Sequence, residues 1–125
     1  MPRRSPTTDI AAAVQRAAAL CVDSKANDVL VLNLKPLTDM TDYFVIASGT
    51  SDTHVRGLAE QVVAELKKEG ISVYHVEGLA QGRWVLLDYV DFVVHIFHPA
   101  LRAFYQLERL WGDAEVMPVG AAVVG

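Results

Sequence analysis

The sequence predicts a mixed α/β domain, α+β-like, with about five strands in one sheet and helices packed on it. Three observations carry this. Residues 84–88 and 92–97 are short apolar runs separated by only a few residues, the pattern of an antiparallel hairpin. Segments with apolar residues at helical spacing are separated by runs of strands, so the sheet should be mixed. The chain has 125 residues, 52% of them hydrophobic. That length suits one domain burying roughly two-thirds of its unfolded surface. The element order reads α-β-β-α-β-β-β-α.

Residues 1–8 carry prolines and arginines without periodicity and read as a flexible tail. Asp9 suits the N-cap of a first helix, on which Ile10, Val14, Ala17, Ala18 and Cys21 share a face. That Ala-rich helix should end between Asp23 and Lys25. Val29–Leu34 reads as a buried strand stopped by Pro36, and Tyr43–Ala47 as a second. Between them 37–42 is a polar loop. Ser48–Asp52 is a turn rich in capping residues. The clearest helix follows, with Val55, Leu58, Ala59, Val62, Val63 and Leu66 on one side. Lys67 and Lys68 in its last turn favour the helix dipole, and Gly70 ends it. Ile71–Val76 is a third strand, and Gly78 and Gly82 bracket a loop before the hairpin. Pro99 suits the first position of a last helix, whose apolar face is Leu101, Phe104, Tyr105 and Trp111 and whose end is Gly112. Residues 9–112 form the expected domain, and 113–125 read as a C-terminal tail.

Lys and Arg total 11 against 15 Asp and Glu, a net charge of -4. Phosphate binding needs clustered cations, so this balance argues against free RNA or DNA as the main partner. One cysteine permits no internal disulfide, which fits a reducing cytoplasm. No stretch approaches the ~18 apolar residues of a bilayer span, and no signal-like run opens the chain. The expectation is a cytoplasmic protein off the membrane.

Few constellations carry chemistry. The turn Ser48-Gly49-Thr50-Ser51 enters a helix directly, where backbone N–H groups can hold a phosphate. It lacks P-loop spacing. A nucleotidyltransferase would need carboxylates about a dozen residues later to hold metal ions. Glu60 to Leu66 is helix there, and no Asp-x-Asp or Asp-x-Glu lies on a following strand. A capped strand-to-helix turn accounts for the segment. His54, His75, His95 and His98 match no metal-ligand spacing. Cys21 lies on an apolar helix face, where an inert buried thiol is expected. Asp39 and Asp42 read as turn formers. No catalytic residue, metal or cofactor is therefore assigned.

The hairpin is the most informative segment. Alternation sets Trp84, Leu86 and Asp88 on one side and Val85 and Leu87 on the other, with Phe92, Val94 and Ile96 sharing a side of the next strand. Strands apolar on both sides belong in the middle of a sheet. Trp84 is either a core residue or an anchor for a partner, since Trp and Tyr dominate interface hot spots. Tyr89 falls in the connection, where an exposed aromatic would favour a partner.

At these residues the chain resembles the Iojap-type ribosomal silencing factor (RsfS) family. Thr41-Asp42-Tyr43-Phe44-Val45-Ile46, Ser48-Gly49-Thr50-Ser51 with His54-Val55, Glu77-Gly78 leading to Trp84–Tyr89 and Asp91–Phe97, and Arg102, Phe104-Tyr105, Leu107-Glu108 and Leu110-Trp111 carry the resemblance across 11–112. One departure is Val90, where the family usually has Gly; a β-branched residue avoids φ > 0, so this connection should avoid the left-handed region or bulge differently. The resemblance implies a nucleotidyltransferase-like topology without catalytic acids and a homodimer. It also implies a function without bond chemistry. The chain would bind a ribosomal protein on the intersubunit face of the large subunit, obstruct the small subunit and lower translation when nutrients are short. The docking face falls on Trp84, Tyr89, Asp91 and His95, with Glu77 and Asp88 beside them. The alternatives are a nucleotidyltransferase-like enzyme, tested by calorimetry with ATP, CTP and Mg²⁺, and a generic dimeric adaptor with no ribosomal role.

Overall fold

The computed structural model describes residues 9–101 and 112–119. Helix α1 spans Ile10–Asp23, and Asp9 caps it by accepting from the Ala11 N–H. Strands β1 (Asn27–Asn33) and β2 (Tyr43–Ser48) follow, then helix α2 (Asp52–Lys68), β3 (His75–Glu77), β4 (Trp84–Asp88), β5 (Phe92–Phe97) and β6 (Glu115–Met117). Residues 99–101 are helical from Pro99 onward, as expected. The predicted positions Phe104, Tyr105 and Trp111 lie outside the described residues, as do residues 1–8.

The six strands form one mixed sheet in the order β3-β4-β5-β2-β1-β6. Only β2 and β5 run parallel; every other pair is antiparallel. β4 and β5 are both interior strands, which explains why they are apolar on both sides. Two differences from the expected elements stand out. The third strand begins at His75 rather than Ile71. A sixth strand, not anticipated from the small aliphatic stretch after Gly112, pairs Glu115–Met117 with β1.

Strand alternation divides the sheet. Val31, Val45, Val85, Leu87, Phe92, Val94 and Ile96 face one way and close a core with Val14, Ala17, Ala18 and Cys21 of α1 and Val55, Leu58, Val62 and Leu66 of α2. Leu32, Ile46 and Phe97 face the other way and join Leu34, with Phe44, Trp84, Leu101 and Ala114 packed around them. Cys21 is buried in the first core, and burial pushes its thiol up to about 12. A thiol held neutral there is a packing group, not a nucleophile.

The hairpin connection departs from two expectations. Tyr89 is 1% exposed, not displayed at a tip. Its ring stacks on Phe92 at 4.7 Å, in the helix-covered core, and burial pushes its hydroxyl up to about 12. Val90 does enter the left-handed region, at φ 73°. The Asp91 N–H donates to the Tyr89 carbonyl at 2.9 Å, which makes Val90 the centre of a γ-turn in its rare positive-φ form. The cost, of order 1–2 kcal/mol, is borne because the surroundings overdetermine the turn. The Tyr89 N–H donates to the Phe92 carbonyl at 2.9 Å. The Val90 N–H donates to Asp88 Oδ1 at 2.7 Å.

Candidate partner-binding face

The sheet face away from α1 and α2 is only partly covered by the described residues. Beside the Leu32–Ile46–Phe97 cluster lies a groove of about 260 Å³. The strands supply Phe44, Leu86, Val93 and His95; the β1–β2 connection supplies Leu34, Thr38, Met40 and Thr41; the hairpin supplies Asp88 and Val90. Met40 is 86% exposed and Val90 54% exposed, so apolar surface is presented at its edge. Asp88 is the one acidic side chain among the described residues lining it.

His95 sits in an aromatic cage. Its ring meets the Phe44 ring edge-on at 4.5 Å and lies 6.2 Å from Phe97. The Trp84 indole N–H donates to His95 Nδ1 at 3.2 Å, and the Trp84 ring stacks on Phe97 at 5.0 Å. Burial lowers the His95 pKa to about 4. The imidazole is neutral at physiological pH, with Nδ1 accepting and the proton therefore on Nε2. The loop at Gly78 passes close against the Trp84 backbone. The Gly78 φ is 80°, and a Cβ there would collide with the Trp84 carbonyl.

The six expected site residues do not all converge. His95 and Asp88 line the groove, and Trp84 braces His95 from the side. Asp91 lies in the turn, where its carbonyl accepts from the Asp42 N–H at 2.9 Å and ties the hairpin to the start of β2. Glu77 is on the edge strand, exposed and 2.8 Å from His75 Nε2. Tyr89 belongs to the opposite core and presents no surface. Thr41, Phe44 and Met40 were not singled out, although Phe44 and Thr41 belong to a segment carrying the resemblance. The open side of β2 is visible only once its partners are known.

The Ser48–Asp52 turn is occupied by its own side chains. The Thr50 N–H donates to His54 Nδ1 at 2.9 Å, and the His54 N–H donates to Ser51 Oγ at 3.1 Å. Because Nδ1 accepts, Nε2 donates to the Ser24 carbonyl, at 2.8 Å, and ties the turn to the end of α1. Asp52 adds a negative charge in the first turn. These features suit a helix cap better than a phosphate cradle. Among the described residues no group of three or more His, Cys, Asp or Glu is arranged to hold a metal ion. No helix among them is long and apolar enough to cross a membrane.

Comparison with known proteins agrees with this architecture. A family profile described as "Ribosomal silencing factor during starvation" matches residues 7–123, extending past the resemblance on both sides and including β6. Ribosomal silencing factor RsfS of Bacillus subtilis is 44% identical over 98 residues, covering 78% of this chain and 83% of that protein. The mouse protein named "Mitochondrial assembly of ribosomal large subunit protein 1" is 33% identical over 96 residues, covering 74% of this chain and 42% of its own length. A crystal structure of a Chromobacterium violaceum protein superposes with a TM-score of 0.82 at 35% identity, covering 84% of this chain and 88% of that one. A profile spanning nearly the whole chain and an identity of this size over most of both sequences settle the assignment: the chain belongs to the ribosomal silencing factor family.

Proposed function

We propose that the chain docks on a ribosomal protein at the intersubunit face of the large ribosomal subunit and, from there, blocks small-subunit joining and represses translation under nutrient limitation. The observation that carries the site is the largely apolar groove on the sheet face away from α1 and α2, with exposed Met40 and Val90 and the Asp88 carboxylate. An apolar groove with one acid suits a basic protein. The acid contributes on-rate and register, and the apolar surface contributes affinity. A net charge of -4 opposes direct adhesion to ribosomal RNA. The family supplies the ribosome, and the mouse relative's name speaks for the large subunit. The homodimer is part of the same proposal, tested by sedimentation equilibrium of the isolated chain.

Sedimentation with separated ribosomal subunits tests the main reading. The purified chain should migrate with the large subunit alone, and large subunits preloaded with it should fail to join small ones. Migration with neither subunit would leave a generic adaptor as the better account.

A further inference from the structure

Two polar atoms on this groove lack partners among the described residues. His95 is 5% and Thr41 9% exposed, and both line the groove. His95 Nε2 and Thr41 Oγ1 are buried with no hydrogen-bond partner among the described residues. The Trp84 indole can only donate, so it occupies Nδ1 and forces the proton onto Nε2. The orphan on His95 is therefore an N–H donor of fixed tautomer. Buried polar groups are rarely left unsatisfied, because the lost hydration is not returned. Two in one largely apolar groove point to a group that arrives from outside.

We infer that the groove reads a main-chain carbonyl of the docked protein, accepting from His95 Nε2–H and the Thr41 hydroxyl. This rests on the docking reading above. The lining selects the class of acceptor. Asp88 is the only charged side chain among the described residues that line the groove, so a phosphate or carboxylate would meet repulsion there. An ammonium or guanidinium would suit Asp88 but cannot accept from Nε2–H. A neutral carbonyl avoids both penalties. The apolar side chain next to it in a peptide would cover Phe44, Leu86 and Val93. Neither polar atom is open to solvent in the free chain. Docking therefore shifts a side chain of the wall, where Met40 is almost fully exposed and unbranched.

The test measures affinity for isolated large ribosomal subunits, with Tm and circular dichroism recorded for each variant. His95→Asn keeps an acceptor near Nδ1 for Trp84 and deletes the Nε2 donor. His95→Gln keeps a donor near Nε2. Thr41→Val deletes the hydroxyl at nearly constant volume and carries the test if His95→Asn does not fold. The expected result is about tenfold weaker binding for His95→Asn and for Thr41→Val, with His95→Gln within about threefold of the parent. Parent-like binding by folded Thr41→Val and His95→Asn overturns the carbonyl contact. If Met40→Asp still abolishes binding in that case, the groove stands as the docking site. If Met40→Asp also binds normally, the docking reading falls with it. Equally tight binding to protein-free ribosomal RNA would overturn the peptide carbonyl as the ligand.

Discussion

Val94 and His95 are neighbours in β5, yet they belong to opposite sides of one sheet with different duties. The Val94 side is covered by α1 and α2 and holds Val85, Leu87, Phe92 and Ile96 in a dry core. The His95 side is covered only in part, and its uncovered portion keeps a buried imidazole, an unpartnered hydroxyl and an edge residue at positive φ. Such features cost stability. Their meeting in one groove separates what holds the domain together from what, in the docking proposed above, it offers to a partner.

That contrast can be broken by substitutions on each side. The largest effect belongs to the covered face: Phe92→Ala should cost about 3–5 kcal/mol of unfolding free energy, read by urea denaturation, because it empties the site against which Tyr89 stacks. A loss under 1 kcal/mol would mean the covered face is not the main source of stability.

On the open side, pH is the sharper probe. The His95 pKa of about 4 lies below the unfolded value of 6.5, so the unfolded chain binds more protons between those values. Stability is complete above pH 6.5 and declines as pH falls through 4. The loss attributable to His95 is about 3 kcal/mol at most. Subtracting the pH profile of His95→Asn from that of the parent isolates it, and superimposable profiles would contradict a buried neutral imidazole.

Trp84→Ala should weaken binding to large subunits by ~2 kcal/mol, since it removes the brace on His95 and the ring stacked on Phe97 behind it. Its stability loss should stay below that of Phe92→Ala, because Trp84 is only half-buried. A folded variant that binds like the parent would place the docking face elsewhere. The smallest effect is also the one with two signs. Val90→Gly should raise stability by about 1 kcal/mol by relieving the positive φ, while slightly weakening docking by removing an exposed apolar side chain from the groove. Destabilisation on this substitution would show that Val90 packing outweighs its backbone strain.

Much of this division was legible before any fold. The spans 84–88 and 92–97, their two-sided apolar character and the alternation separating Leu87 from Asp88 follow from period two alone. The cap Asp9, and a cap within Ser48–Asp52 that the structure assigns to Ser51, follow from side chains able to accept the first free N–H groups of a helix. Glu115–Met117 was illegible because three residues carry no period; pairing with β1 makes them a strand. Tyr89 misled because a loop position suggests exposure. The γ-turn folds its ring back onto Phe92, and the area buried there compensates a conformation that Val90 would avoid in isolation.

By itself the sequence determined the two long helices, four of the strands, the apolar faces, the acidic balance and the family, because these depend on residue type and spacing along one chain. Only the tertiary structure decided which face of the sheet stays open. Helix placement, the six-strand order and the meeting of Thr41, Phe44, Asp88 and His95 depend on contacts between residues dozens of positions apart, and no local period encodes them.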